Sequence, residues 1–323
     1  MRKRLAFLLL GLVSAVQAEQ PQPICHYHEA TSLPISFAGG KITTEGLIDG
    51  TPVSLMLDTG STYTLLTRSE VQKLGLRLSR TNARSFGVSG ESTVSLAEVP
   101  DISIGVAHGK DILITVVDDT SAPFSAGGVV GTDFLFRADI DLSLAEGKLK
   151  FFTAKDCETA FLPRWDGEIS QVPMGRGPGE DNRPRITVEL NGVKVDALID
   201  SGASMTVVDL RTAARLGITP DSPGVVPGRT ASGVGTHPLN SWIAPFASVS
   251  IGGETIKNLK LTVADLWGAA RRDRNDTRSF EMSEAMPHML LGADFLQAHH
   301  VLFAVSQQQF YFSYLGGKVF HTE

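Results

Sequence analysis

The sequence predicts an all-β protein with few short helices, built as two similar lobes from a duplicated unit. Three observations carry this expectation. Two Asp-Thr/Ser-Gly tripeptides, Asp58-Thr59-Gly60 and Asp200-Ser201-Gly202, sit in matched surroundings. Landmarks on either side of them recur at identical offsets. The remaining apolar segments are short, strand-like and separated by glycine-bearing turns rather than spaced at a helical period.

The elements follow in chain order. Arg2-Lys3-Arg4, the apolar run from Leu5 to Val16 and the small Ala18 form the pattern of a secretory signal over residues 1–18, cleaved after Ala18. The apolar run falls short of the roughly 20 residues needed to cross a bilayer. Export to a periplasmic or extracellular, oxidising compartment makes Cys25 and Cys157 an expected disulfide. Cys25-His26-Tyr27-His28 has metal-ligating residue types, but no second ligand pair of suitable spacing follows, so no metal site is expected.

The first copy, an N-terminal lobe over residues 19–155, contains the hairpin dipeptide Asp49-Gly50, which favours positive φ. Val53 to Leu57 reads as a strand running into Asp58, eight residues after Gly50. Thr67, nine residues past Asp58, is a helix N-cap, with Glu70 completing a capping box. That helix ends at Gly75, seventeen residues past Asp58, where a left-handed residue belongs. Ile112 to Val117 and Lys148 to Phe152 read as strands, and Val129-Val130-Gly131 as an apolar strand closing on glycine. Asp133 then caps a short helix. Residues 156–183, centred on Gly175-Arg176-Gly177-Pro178-Gly179, read as an irregular linker.

The second copy, a C-terminal lobe over residues 184–323, repeats these features. Asn191-Gly192, Asp200, Asp209 and Gly217 stand at the same offsets as their counterparts. Ser250-Ile251-Gly252 echoes Ser103-Ile104-Gly105, and Leu290-Leu291-Gly292 with Asp294 echoes the segment ending at Asp133. Leu259 to Val263 and Phe310 to Tyr314 read as strands. The aspartate-to-glycine distance is 73 residues in the first copy and 92 in the second, with most of the excess within residues 265–286. That stretch is a solvated surface insertion or a contributor to substrate selection. His299-His300 is expected on a helix, where adjacent residues do not face one site.

Composition narrows the function. The chain has 323 residues, 42% apolar and 20% charged, with a formal charge of -6, enough for two ordinary domains. An acidic body without a basic block is a poor nucleic-acid binder. No Gly-x-Ser-x-Gly elbow or phosphate-binding loop occurs.

One Asp-Thr/Ser-Gly is commonly an Asx turn at a strand end; two at equivalent places, each echoed by a distant apolar-apolar-glycine strand, resemble the aspartic protease clan. The chain looks like two retropepsin-like lobes fused in one polypeptide, as in pepsin-like enzymes, over about residues 34 to 315. The resemblance implies a bilobal acid-protease fold of two closed, barrel-like lobes with pseudo-twofold symmetry. Each lobe would offer one aspartate, Asp58 or Asp200, to a shared cleft. Two carboxyls in contact cannot both ionise cheaply, so the pair holds one proton and can activate a water without metal or cofactor. Gly60 and Gly202 let backbone N–H groups approach the carboxylates. The resemblance further implies that the hydroxyls of Thr59 and Ser201 bridge the lobes. Ser61 and Ala203 follow the two glycines; the resemblance to pepsin-like enzymes implies a Ser61 hydroxyl bonded to Asp58, which would favour its charged state and leave the proton on Asp200, while alanine at this place is the retropepsin-like choice. Phe86-Gly87-Val88-Ser89-Gly90 and Ala231-Ser232-Gly233-Val234-Gly235 are flap tips (Phe86, Gly87, Gly90, Gly233 and Gly235 being the candidate residues) or ordinary hairpin turns. The first lacks the tyrosine of pepsin-like flaps, which leans toward the retropepsin-like style. The expected function is that of a monomeric exported endopeptidase acting on polypeptides, with no membrane association after signal cleavage. A non-catalytic peptide- or protein-binding member of the same fold is the alternative.

Overall fold

The computed structural model of the chain describes residues 24–119, 126–177, 179, 181–230, 233, 237–268 and 286–321. The signal segment 1–18, Gly235 and most of the 265–286 insertion lie outside the described residues.

The described chain opens with β1 (His26–Pro34), β2 (Ser36–Ala38), β3 (Lys41–Ile48) and β4 (Thr51–Leu57). Asp49 and Gly50 turn between β3 and β4 with φ of 49° and 74°, the left-handed pair that a two-residue hairpin needs. Along β4, Val53, Leu55 and Leu57 point into the core with Met56 also covered. Burying each such side chain contributes about 1.5–3 kcal/mol. β5 (Leu65–Thr67) leads into α1 (Arg68–Lys73), where Thr67 Oγ1 accepts the Glu70 N–H at 3.3 Å. Gly75 ends that helix with φ of 66°. β6 (Arg77–Gly87), β7 (Gly90–Ile104), β8 (Ala107–Val117), β9 (Gly128–Val130) and α2 (Thr132–Leu135) complete the first unit. Its strand order is β2-β3-β4-β9-β5-β8-β7-β6, and an extra β3–β7 pairing closes six strands into a ring.

β10 (Asp139–Ser143) and β11 (Lys148–Lys155) follow. The connection expected to be irregular carries two strands, β12 (Ser170–Pro173) and β13 (Gly175–Arg176). Tertiary pairing overrides the turn-rich composition here, because the segment passes a strand edge that lacks a partner and Val172 and Met174 become buried.

The second unit repeats the first with β14 (Pro184–Leu190), β15 (Val193–Ile199), β16 (Val207–Asp209) and α3 (Leu210–Arg215). β17 (Val226–Pro227), β18 (Ser241–Ile251), β19 (Glu254–Ala264), β20 (Met289–Leu291) and α4 (Ala293–Ala298) complete it. Asn191 and Gly192 have φ of 51° and 80°, and Gly217 has 78°. The order β13-β14-β15-β20-β16-β19-β18-β17, with an added β14–β18 pairing, closes a second six-stranded ring.

β21 (His299–Ala304) and β22 (Gln309–Tyr314) leave that ring. They join a six-stranded sheet of order β1-β11-β10-β21-β22-β12, in which β10 of one copy pairs antiparallel with β21 of the other. Phe303, Phe310 and Phe312 are fully buried on it. The Cys25–Cys157 disulfide, with Cα atoms 4.5 Å apart, staples the start of β1 beside the end of β11. His299 and His300, expected on a helix, instead begin β21 once α4 stops at Ala298. Their rings therefore point to opposite faces. His299 Nε2 meets Glu254 at 3.0 Å and His300 Nε2 meets Asp141 at 2.8 Å.

Candidate active site

Each aspartate stands where a buried strand runs out. β4 lies parallel to β9, and the Asp58 N–H donates to the Val130 carbonyl at 3.1 Å. β15 lies parallel to β20, and the Asp200 N–H donates to the Leu291 carbonyl at 2.9 Å. The two loops then cross the seam between lobes. Thr59 Oγ1 donates to the Ile199 carbonyl at 2.7 Å and accepts the Ser201 N–H at 3.0 Å. Ser201 Oγ donates to the Leu57 carbonyl at 2.9 Å and accepts the Thr59 N–H at 2.9 Å. Both side chains are buried, so these bonds form away from competing water.

This interlock brings the two carboxyls together. A Cβ added to Gly60 would collide with the Asp200 carboxyl, and one added to Gly202 with the Asp58 carboxyl. Only glycine fits at either place. Burial first, and then the Asp200 charge, push the Asp58 pKa up to about 8. Burial likewise raises Asp200, opposed by N–H donors. The donors are unequal. Asp200 Oδ1 accepts the N–H groups of Gly202 and Ala203, each at 3.0 Å, whereas Asp58 Oδ1 accepts that of Gly60 at 2.8 Å.

Ser61 departs from expectation. Its hydroxyl donates to the Tyr63 carbonyl at 2.8 Å; a main-chain acceptor in the same turn captures it, so the supposed support for an ionised Asp58 is absent. Asp133 and Asp294 also differ from the cap role. Gly131 and Gly292 are the N-caps, and the aspartates lie inside the first turns. Asp133 Oδ1 accepts the Thr64 hydroxyl and Asp294 Oδ1 the Thr206 hydroxyl, each at 2.7 Å. Each threonine in turn accepts the N–H of its strand-ending glycine, Gly131 at 3.2 Å and Gly292 at 3.0 Å. These two matched clamps brace the loops that follow Asp58 and Asp200.

Phe86, Gly87 and Gly90 belong to the β6–β7 hairpin, with Gly87 paired to Gly90 across Val88-Ser89. This tip meets the second glycine-rich loop. The Gly233 N–H donates to Ser89 Oγ at 2.9 Å, and the His237 N–H to the Ser89 carbonyl at 2.9 Å. Val88 packs against a buried cluster of the second lobe that includes Leu198, Leu239, Leu266 and Trp267, beside Ala203. Met56, Leu65 and Val129 form part of the counterpart cluster in the first lobe. A buried apolar cluster in each lobe thus includes a residue of the strand that ends at its aspartate, Met56 of β4 and Leu198 of β15.

Two cations were not anticipated from the sequence. Lys41 Nζ donates to the Gly202 carbonyl at 2.9 Å, and Arg183 Nη1 approaches the Gly60 carbonyl at 3.5 Å. Their signal was present, since each lies seventeen residues before its aspartate.

The aspartyl protease family model matches residues 44–134 and 186–295, one segment for each copy and together more than half the chain. The chain belongs to the aspartyl protease family. Among the solved structures that match is the aspartic proteinase from Irpex lacteus, with a TM-score of 0.51 at 15% identity, over 88% of this chain and 97% of that one. At that identity the likeness speaks for the fold. No curated protein matches the sequence significantly. For an aspartyl protease family member the two-segment match and the two closed rings agree: each segment contains one Asp-Thr/Ser-Gly loop.

Proposed function

We propose that this aspartyl protease family member is an exported endopeptidase that hydrolyses peptide bonds with Asp58 and Asp200 as its catalytic dyad. The observation that carries the reading is the facing of the two carboxyls at an interlocked seam, each packed on the other lobe's loop glycine. Like charges so placed share one proton.

The donor count supports Asp58 as its holder. Asp200, with two N–H donors on one oxygen, is the better carboxylate. It draws a proton from a water lodged between the pair, and that water attacks the scissile carbonyl carbon. Asp58 donates its proton to the carbonyl oxygen, offsetting charge as the tetrahedral intermediate forms. The proton gained by Asp200 then passes to the amine nitrogen as the C–N bond breaks, one hydroxyl of the diol returns its proton to Asp58 as the carbonyl re-forms, and the dyad is back to one proton. Thr59, Ser201, Gly60, Gly202, Ser61 and Ala203 hold the loops and take no proton.

The touching tips at Ser89 and Gly233 support a cleft roofed from both lobes, with an extended chain threaded beneath. Both half-sites lie in one chain, which supports a monomer. The disulfide suits an oxidising compartment, and among the described residues no helix is long and apolar enough to cross a membrane.

The test is digestion of a denatured protein by wild type, Asp58→Asn and Asp200→Asn. Cleavage by wild type alone is expected. Cleavage that survives in both variants would remove the dyad from the mechanism. A folded wild type that binds peptides without cutting them would favour the non-catalytic alternative.

A further inference from the structure

Lys41 and Arg183 stand at equivalent places in the two copies, at the threshold of the strands β3 and β14 that open the two rings. Each reaches across the seam to the aspartate loop of the other lobe, at Gly202 and Gly60 respectively. They differ in what neutralises them. Asp181 holds the Arg183 guanidinium at both ends, accepting from Nε at 2.7 Å and Nη2 at 2.8 Å. Arg185 and Asp196 extend that pairing. Among the described residues Lys41 has no carboxylate at ion-pair distance. The negative charges it acts on are Asp58 and Asp200 themselves. The charged groups gathered at the pair are therefore its own two carboxyls, Lys41, and Arg183 with Asp181 behind it.

We infer, resting on the dyad reading above, that Lys41 is a positioning residue that gives Asp58 and Asp200 a standing positive charge and so sets the pH window in which they share one proton. Arg183 supplies mainly the mechanical half of that role, because Asp181, bonded to it at both ends, offsets much of the charge that the pair would otherwise feel. An ammonium near a carboxyl favours the ionised form, so Lys41 eases both proton losses of the pair. Removing it moves both limbs of the pH–rate profile upward together, by about 0.5–1 pH unit. A residue that merely braced the loop would lower the rate across the whole profile and leave the limbs where they were.

The experiment measures kcat/KM against pH on one apolar peptide for wild type, Lys41→Met, Lys41→Arg and the charge-neutral double variant Arg183→Met with Asp181→Asn. Infrared titration of the protonated carboxyl band, assigned by its loss in Asp58→Asn, reads the same equilibrium without turnover. Upward movement of both limbs and of the band midpoint in Lys41→Met, reversal in Lys41→Arg, and unmoved limbs in the double variant are the expected results. Unmoved limbs and band in a folded Lys41→Met would overturn the inference, as would an equal shift in the double variant. Where Lys41→Met does not fold, Lys41→Gln carries the same comparison. If wild type proves unable to cleave, the dyad reading fails on that result, while the infrared midpoint still decides the role of Lys41.

Discussion

Replacing Thr59 with valine deletes one hydroxyl and keeps the shape of the side chain. Two main-chain groups lose their partners: the Ile199 carbonyl, 2.7 Å from that oxygen, and the Ser201 N–H, 3.0 Å away. Thr59 and Ser201 are only 2% and 1% exposed, so water does not replace what is lost. An orphaned buried polar group costs about 1–3 kcal/mol, which puts Thr59→Val, with two of them, at about 2–6 kcal/mol. That is a large share of the roughly 5–15 kcal/mol that holds a typical domain folded. Urea unfolding followed by tryptophan fluorescence measures it, and the slope should be unchanged while the midpoint falls. Ser201→Ala should cost a similar amount by exposing the Leu57 carbonyl and the Thr59 N–H. The double variant should lose less than the sum, because all four bonds belong to one ring. A loss below about 0.5 kcal/mol for Thr59→Val, or strict additivity with Ser201→Ala, would refute the idea that this ring clamps the lobes.

Stability should also depend on the proton that the dyad holds. Folding raises the Asp58 pKa to about 8, so the folded state binds the proton more tightly than the unfolded one. The stabilisation is complete below the unfolded value near 4 and is lost as pH rises through 8; Asp58→Asn should flatten that decline by a few kcal/mol in denaturation curves taken across the window. Ser61→Ala should leave the acid limb of the pH–rate profile in place, since the hydroxyl serves Tyr63 rather than Asp58; a shifted limb would reinstate the opposite proton assignment. Cys25 and Cys157 close a span of 132 residues, so paired serine substitution should cost up to about 5 kcal/mol in the chain-entropy model, read as a lower urea midpoint; an unchanged midpoint would show β1 to be held by its ladder alone.

Short-range chemistry made much of this molecule readable in advance. Asp49-Gly50 and Asn191-Gly192 demand left-handed turns, Gly75 and Gly217 end helices, and the aspartates follow at fixed distances, so the duplication shows in residue types alone. The grip of Thr59 and Ser201 came from the family likeness rather than from any local signal. What the sequence conceals depends on partners far away along the chain. Lys41 is one more surface lysine until the Gly202 carbonyl arrives from 161 residues away. Asp133 and Asp294 look like caps because nothing nearby shows that Thr64 and Thr206 will claim them. Residues 170–176 look like loop because their pairing comes from β22 and β14, not from their own composition. His299 and His300 look helical for the same reason: the six-residue helix before them ends where β10 takes over the backbone pairing of its successor.

The sheet that contains β10 and β21 has a mechanical consequence. Its ladder runs unbroken from one half of the polypeptide to the other, so the two halves are welded along a shared sheet. Hinging the halves apart would tear a row of main-chain bonds, whereas parting Ser89 from Gly233 and His237 releases two among the described residues. On the proposed reading a substrate would enter by parting these tips rather than by spreading the halves, and the ease with which those bonds let go would set the rate of entry.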